Sequence, residues 1–234
     1  MLTVLTWKWG NKFGACHVNT LRSMLARRLA LPHRLVCVTD DAEGLDDAIE
    51  AIPLPALYSD SPRCRRRMRQ FDREWITAIG DRILALDLDV VLVDDITPLV
   101  DRPDPLVCWR VAYANVFSGS ILLMDAGVLD PLWQAFNADP EGYPRRAWPG
   151  GVGSDQAMLN FFLSRPYQKI RPAVWTEADG FVTFFGKGYE KLEHLGVGPN
   201  HPDLPAGARI VVLGSDDLAA LSEWDRYLWV SEWR

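Results

Sequence analysis

The stretch "RILALDLDVVLVDDITPL" (residues 82–99) places two aspartates, Asp87 and Asp89, at the end of an apolar run. Strand interiors disfavour aspartate, and a buried carboxylate without a partner is strongly unfavourable. The pair should therefore lie where a strand ends and opens onto water, a metal ion or a substrate. Alternation along a strand puts both carboxylates on one side, with Leu88 turned into the core.

The residues before this stretch alternate between strand-like and helix-like patterns. Strands are predicted at 2–9, 34–40 and 48–55, and helices around Val18, Leu21, Leu25 and Leu29 and over 62–79. Val/Ile/Leu-rich strands in this order predict an α/β fold, with a mostly parallel sheet and helices on both faces. Ligands of such sheets gather at the carboxyl ends of the strands. Asp40 and Asp87 both follow strands at that edge.

The order changes beyond residue 105. The segments "LVCWRV" and "SILLMD" read as two strands with a short connection, which predicts an antiparallel edge. Helices are expected near 127–138 and 154–165. The Pro- and Gly-rich segment 139–153 is predicted to be a loop, long enough to close over a bound ligand as a lid. Without a repeat or a linker, residues 1–234 are interpreted as a single domain.

Composition excludes some classes of function. The chain has 234 residues, a formal net charge of −6 and a pI near 5.2. This acidic balance argues against a nucleic-acid partner, because phosphate-backbone binding needs clustered Lys and Arg. One basic run, "RCRRRMR" (63–69), is predicted to be the solvated face of a helix.

The cysteines and the hydropathy bear on the compartment. Four cysteines are scattered without metal-ligand spacing, which predicts reduced thiols. No run is long enough for a transmembrane segment, so we expect a cytoplasmic protein.

The C-terminal "SEWDRYLWVSEWR" puts Trp224, Leu228 and Trp229 on one face of a closing helix that docks on the core. Alternatively, Trp229 and Trp233 border a substrate site or contact a membrane surface peripherally.

The D-x-D pair suits a hard divalent cation. Mg²⁺ and Mn²⁺ take few protein carboxylates and complete their octahedron with water and substrate phosphates, as in nucleotide diphosphate sites. A solvated strand end is the simpler interpretation. The two carboxylates repel one another without a cation, so replacing Asp87 or Asp89 by Asn is predicted to leave the fold intact.

Three motifs occur in an order and at a spacing that resemble those of a known family. "GDRILALDLDVVLVDDITPL", "FSGSILLMDAG" and "GSDQAMLNFFL" together resemble bacterial glycosyltransferases of the GT-A fold, similar to glycosyltransferase family 8. The resemblance implies a nucleotide-sugar donor such as a UDP-sugar, and an unknown glycan, lipid or protein acceptor. It also implies Mn²⁺ or Mg²⁺ at Asp87 and Asp89, and retention of anomeric configuration.

The resemblance implies further site residues. A sugar-contacting turn falls on Ser118, Gly119 and Ser120, and a catalytic pair on Asp155 and Gln156. An ordinary turn at 118–120 and a helix cap at Asp155 are the simpler interpretations.

Looser correspondences concern the rest of the donor. Trp7, Phe13 and Asp40 would face the base and ribose, Arg67 the phosphates or sugar, and Lys187 a phosphate. Trp7 and Phe13 could equally be packing residues, and Asp40 could begin a turn.

One departure from the family pattern concerns the metal. Relatives carry a His-Gly pair and a following Lys near the C-terminal strand, where this chain has "ARIVVLGSDDLAAL" (208–221). Asp216 is the predicted third ligand. Asp217 or donor oxygens could serve instead, or activity could be reduced or lost.

Two other functions stay open. In a haloacid-dehalogenase-like phosphatase, Asp87 would be the nucleophile and Asp89 the general acid. That family usually opens with the pair and has a small residue at the position of Val90. The missing histidine motivates the other alternative, a non-catalytic nucleotide-sugar-binding protein on a transferase scaffold.

Overall fold

The computed structural model describes residues 1–58, 63–149, 153–214, 218–223 and 225–234. The strands in these ranges are Leu2–Lys8 (β1), His33–Thr39 (β2), Ile49–Pro53 (β3), Arg82–Leu86 (β4), Val90–Leu92 (β5), Leu106–Val111 (β6), Val116–Asp125 (β7), Ala173–Trp175 (β8), Phe181–Thr183 (β9) and Ile210–Val212 (β10). The α-helices are Ala15–Arg28 (α1), Arg73–Ile79 (α2), Thr97–Val100 (α3), Asp130–Ala138 (α4), Gly142–Ala147 (α5) and Asp155–Leu163 (α6).

The strands form a large sheet and a small one. The large sheet has the order β3-β2-β1-β4-β7-β6-β8, and the small one β5-β10-β9. Only β7 in the large sheet runs antiparallel to its neighbours, β4 and β6, among the residues described. The connection 112–115 is too short for a crossover, so β6 and β7 must pair as a hairpin. The predicted mostly parallel α/β sheet with antiparallel pairing toward one side is confirmed.

Both faces of the large sheet are covered. Along β1, Leu2 and Val4 pack into one core with α1 and the small sheet, whereas Leu5 and Trp7 pack into a second core with α2, α4 and α6. Strand alternation produces this division, because successive side chains point to opposite faces. The predicted helices on both faces are confirmed.

The basic run differs from its prediction. Residues Arg63–Phe71 form a 3₁₀-helix, and α2 begins separately after Asp72, whose side chain accepts a hydrogen bond from the Glu74 N–H at 3.0 Å. Arg65 and Arg67 are buried, so the predicted solvated face is wrong. The physical reason is that inward-facing carboxylates satisfy Arg67, as shown below.

The segment 139–153 is not a continuous loop, so that prediction is also wrong. The Asp139 side chain accepts a hydrogen bond from the Gly142 N–H at 2.9 Å and so starts α5. Pro144 is tolerated in the first turn of this short helix. Tyr143 is buried and meets Phe161 of α6 edge to face, at 5.5 Å between ring centroids. Gly150 and Gly151 of this segment lie outside the described residues.

The C-terminal segment docks through short turns rather than the predicted helix. The 3₁₀ turns are Leu218–Ser222 and Leu228–Glu232. Trp229 is buried and its indole N–H donates to the Pro202 carbonyl at 3.1 Å, whereas Leu228 is 76% exposed. The two residues therefore do not share one face, because the chain turns between short 3₁₀ segments. Trp224 lies outside the described residues.

The cysteines and the helix lengths bear on two further predictions. All four cysteines are free thiols, as predicted. In the part of the chain that the structure describes, no helix is both long and apolar enough to cross a membrane.

Candidate active site

The site lies at the carboxyl ends of β1, β2 and β4. Residues Asp87–Asp89 connect β4 to β5, so they pass from the large sheet to the small one. The Asp87 N–H donates to the Ser120 carbonyl at 2.9 Å, and the Leu213 N–H donates to the Asp89 carbonyl at 2.9 Å. The D-x-D backbone is thus held from β7 on one side and from the residue after β10 on the other.

A cavity of about 240 Å³ opens at this edge. Aromatic side chains line one part of it, and charged side chains line the other. Its lining residues are Trp7, Trp9, Lys12, Phe13, Cys64, Arg67, Asp87, Leu88 and Asp89.

Arg67 connects three of the predicted motifs. Its Nη1 lies 2.5 Å from Asp87 Oδ1, its Nε lies 3.3 Å from Asp155 Oδ2, and its Nη2 donates to the Gly119 carbonyl at 2.9 Å. The planar guanidinium suits such a role because its donors have a fixed geometry. One buried side chain therefore holds together the D-x-D pair, residues 118–120 of β7 and the start of α6.

The charge of Arg67 is secured by its neighbours. Burial alone would lower its pKa, but Asp155 and Asp87 together raise the pKa above its ordinary value. For Asp155, burial raises the pKa and Arg67 opposes that shift. Each charge of the Arg67–Asp155 pair offsets the cost of burying the other.

Asp89 lacks such compensation. It is only 8% exposed, and its Oδ1 has no hydrogen-bond partner among the described residues. Burial and the nearby Asp87 raise its pKa to about 7, and Lys12 and Arg67 only partly oppose the shift. A cation bound at Asp89 would therefore offset this unfavourable buried charge.

These carboxylates fit a hard divalent cation. Asp87 and Asp89 supply oxygen ligands of the preferred kind, and the unpartnered Asp89 Oδ1 is available to a cation. Within the described ranges, no cluster of three His, Cys, Asp or Glu side chains could complete a protein-only site. Asp216, the predicted third ligand, and its alternative Asp217 lie outside those ranges.

Ser118, Gly119 and Ser120 lie inside β7, so the predicted turn at these positions is wrong, and this part of the strand touches the start of α6 directly. The Gly119 N–H donates to Gln156 Oε1 at 2.9 Å, and a Cβ added at Gly119 would lie 3.1 Å from the Gln156 Cβ. Ser118 Oγ accepts a hydrogen bond from the Ser120 N–H at 3.1 Å. The absence of a side chain at Gly119 lets the strand approach the helix this closely.

The helix cap interpretation of Asp155 is not what the structure shows. Ser154 Oγ accepts the capping hydrogen bond from the Ala157 N–H at 3.2 Å. Asp155 is therefore left to face Arg67 from the first turn of α6.

A second groove, of about 300 Å³, is lined in part by Ser118 and Ser120 of β7. Ser118, Ser120 and Gln156 contribute polar groups to it, and aromatic side chains dominate the remainder. These aromatic residues are Trp109, Tyr113, Phe184, Phe185 and Tyr189. Gln156 thus faces the groove while its neighbour Asp155 faces the charged cavity through Arg67.

Two predicted donor-binding residues lie apart from both cavities. Asp40 is exposed and accepts a hydrogen bond from the Gly10 N–H at 2.9 Å, which fixes the loop after β1. Lys187 is exposed and lines neither cavity. Trp7 and Phe13, in contrast, line the first cavity.

The sequence interpretation missed several lining residues. Lys12 and Trp9 lie in the loop after β1, and Cys64 lies at the start of the basic run. The turn "GNKFG" follows a parallel strand at the ligand-binding edge, so its lysine could have been identified from position alone.

Comparison with solved structures identifies the fold. The chain is similar to the galactosyltransferase LgtC in complex with donor and acceptor sugar analogues, with 15% identity, a TM-score of 0.59, and 95% of this chain and 99% of that chain covered. An active-site glutamine-to-glutamate mutant of LgtC matches with 13% identity and a TM-score of 0.59, over 95% of this chain and 99% of that chain. No protein-family model matches, and neither does any curated protein sequence.

At this identity the likeness establishes the fold. The chain has the fold of LgtC along almost its whole length, and the GT-A-like fold predicted from the sequence is confirmed.

Proposed function

We propose that this protein is a glycosyltransferase that moves a sugar from a nucleotide-diphosphate donor, such as a UDP-sugar, to an acceptor. The observation that carries the proposal is the position of Arg67, which joins Asp87, Gly119 and Asp155 at the edge of one cavity. A fold shared with a protein that binds donor and acceptor sugar analogues supports it.

The first cavity suits the nucleotide part of the donor. Its aromatic side chains, including Trp7 and Phe13, offer flat surfaces to a base and ribose. Its charged end would hold the diphosphate beside Asp87 and Asp89, together with Mn²⁺ or Mg²⁺. A cation bound there would supply Lewis-acid stabilisation of the charge that develops on the departing diphosphate.

Gln156 and Asp155 would act at the sugar. The Gly119 N–H fixes Gln156 Oε1, and Gln156 lines the second groove, beside which an anomeric carbon would lie. LgtC also has an active-site glutamine, which makes Gln156 the candidate for the same role. Asp155 is buried against Arg67, so we assign it a positioning role and not that of a covalent nucleophile. Same-face attack with retention of configuration fits this arrangement.

The second groove suits the acceptor. Its aromatic walls would pack against the apolar face of a sugar ring or the adjoining part of a glycan, lipid or protein acceptor. Ser118, Ser120 and Gln156 would orient the hydroxyl that attacks.

Phosphatase activity is less consistent with this geometry. Asp87 would have to act as the nucleophile, yet its Oδ1 is engaged by Arg67 at 2.5 Å. The shared fold with LgtC also favours transfer of a sugar. The non-catalytic alternative makes a different prediction, namely nucleotide binding without hydrolysis or transfer.

Thermal unfolding and donor turnover test the proposal. UDP should raise the melting temperature only when Mn²⁺ or Mg²⁺ is present, and a UDP-sugar should be hydrolysed slowly in the absence of acceptor. ADP and GDP serve as controls for the base, and Asp47→Asn, on an exposed turn, serves as the control variant. Metal-independent nucleotide binding without donor hydrolysis, or phosphate release through a phosphorylated Asp87, would contradict the proposal. NMR of the product reports the anomeric configuration, and an inverted linkage would defeat the retaining mechanism.

A further inference from the structure

We propose that Lys12 is a donor-binding residue with two alternating partners. In the donor-free protein it pairs with Asp89, and when Asp89 holds a divalent cation it pairs with the donor diphosphate. This inference rests on the proposed function and adds to it a residue from the loop between β1 and α1.

The position of Lys12 places its charge inside the donor cavity. Its Nζ lies 4.0 Å from Asp89 Oδ2 and 4.6 Å from the centre of the Phe13 ring. The hydrogen bond between Gly10 and Asp40 holds the loop that carries it. The lysine side chain is 45% exposed, so it reaches the cavity from the solvent side.

Lys12 can move where Arg67 cannot. Arg67 is buried and has three close partners, with distances of 2.5 Å, 2.9 Å and 3.3 Å. The 4.0 Å between Lys12 and Asp89 is longer than the roughly 2.7–2.9 Å of a charge-assisted hydrogen bond. A flexible four-carbon stem allows the ammonium group to change partner with little rearrangement of the backbone.

The local charge explains why the partner would change. Three carboxylates, Asp87, Asp89 and Asp155, face two cationic groups at this site. A divalent cation at Asp89 would repel the Lys12 ammonium group, and a diphosphate would attract it. The segment "LGSDDLAAL" (213–221) offers no Lys, Arg or His for that purpose, and Lys187 lies outside the cavity.

This exchange makes an unusual prediction for Lys12→Met. Without the competing ammonium group, Mn²⁺ alone should bind about three to ten times more tightly. UDP in saturating Mn²⁺ should bind about tenfold more weakly, a loss of about 1.4 kcal/mol. Lys12→Arg should retain most of the UDP affinity because it keeps the charge. A purely structural role for Lys12 would not move the two affinities in opposite directions.

Isothermal titration calorimetry with Mn²⁺ alone, and then with UDP in saturating Mn²⁺, measures both effects on the full chain. Lys169→Met, which removes an exposed charge elsewhere, is the matched control and should change neither affinity. Opposite shifts in Lys12→Met would support the exchange. Unchanged affinities, or both affinities weakened, would overturn the role of Lys12 while the parent protein still bound UDP. A parent protein that bound neither Mn²⁺ nor UDP would overturn the proposed function, and this inference with it.

Discussion

Replacing Asp89 by asparagine is expected to stabilise the metal-free protein at pH 8 and to have almost no effect near pH 4. The carboxylate is buried, its Oδ1 has no hydrogen-bond partner among the described residues, and Asp87 lies nearby. The neutral amide has almost the same shape without the charge. The variant therefore removes an unfavourable charge, together with its long ion pair to the partly exposed Lys12 at 4.0 Å.

The size of the effect follows from the pKa of Asp89. Burial and Asp87 raise this pKa from 3.8 to about 7 in the folded protein. A shift of about three units corresponds to roughly 4 kcal/mol, because each unit is about 1.36 kcal/mol. This is an upper limit, since water can enter the open cavity around the charged form. Half of it, about 2 kcal/mol, would raise the melting temperature by roughly 4–8 °C in a chain of this size.

The sign of the pH dependence follows from linkage. Because the folded pKa lies above the unfolded one, this group's contribution to stability is fully present below about pH 4. It is lost as the pH rises through about 7. The parent protein should therefore lose stability relative to Asp89→Asn across this range, and the difference should be constant above it.

Denaturation in urea with EDTA present, from pH 4 to pH 8.5, measures the difference directly. Asp47→Asn is the control for removing an exposed carboxylate and should follow the parent protein. A stability difference for Asp89→Asn that is absent at pH 8, or that does not vary with pH, would refute the reasoning.

Three other variants probe neighbouring parts of the structure. The expectation from the sequence that neutralising Asp87 only relieves repulsion is wrong, because Asp87 is a partner of the buried Arg67. Asp87→Asn should therefore fold but lose about 1–3 kcal/mol of stability in the metal-free protein in the same urea assay, and an unchanged midpoint would count against this ion pair. Gly119→Ala should lower the rate of sugar transfer or donor hydrolysis more than it lowers stability, because its methyl group would press on Gln156; wild-type turnover would show that the close contact is unimportant. Trp229→Ala should lower the free energy of unfolding by about 3–5 kcal/mol, and an unchanged melting temperature with lost transfer would instead place Trp229 at the acceptor.

The sheet could be predicted because its signals are local. The strands β1, β2 and β4 are apolar runs of strand length between clear breakers, and their order along the chain dictates parallel pairing with helical crossovers. The short connection between β6 and β7 likewise permits only a hairpin and no crossover. Such features depend on residues close together in sequence, so the sequence alone was sufficient.

The basic run and the segment 139–153 could not be predicted in this way. Whether Arg67 is exposed or buried depends on Asp87 and Asp155, which lie far from it in sequence. The helix α5 depends on Asp139 and on packing of Tyr143 against α6, and its Pro and Gly residues suggest a loop when taken alone. In both cases a tertiary contact outweighs local preference.

The candidate site was predicted only in part, because some of its residues stand out in the local sequence and others are defined by tertiary contacts. Asp87 and Asp89 are conspicuous because charge interrupts an apolar strand, and strand order then places them at the ligand-binding edge. Gln156 and Ser118 are not conspicuous, and only the resemblance brought them forward. Lys12 belongs to no recognisable motif, since a lysine in a turn is common. Its proposed role rests on the 4.0 Å between its Nζ and the carboxylate of Asp89, which lies far along the chain.

The charges at the site also bear on the order in which ligands would bind under the proposed function. A nucleotide diphosphate that arrived without a cation would approach Asp87 and Asp89, and of the described residues that line the cavity only Lys12 would be a cation free to move toward it. Arg67 cannot turn to the phosphates without leaving Asp87 or Asp155 unpaired in a buried place, which is strongly unfavourable. A divalent cation removes this obstacle, because it neutralises the Asp89 charge and makes Lys12 available at the same time. The donor should therefore bind with its cation or after it, and the fixed Arg67 would keep Gly119 of β7 and the start of α6 in place in both states.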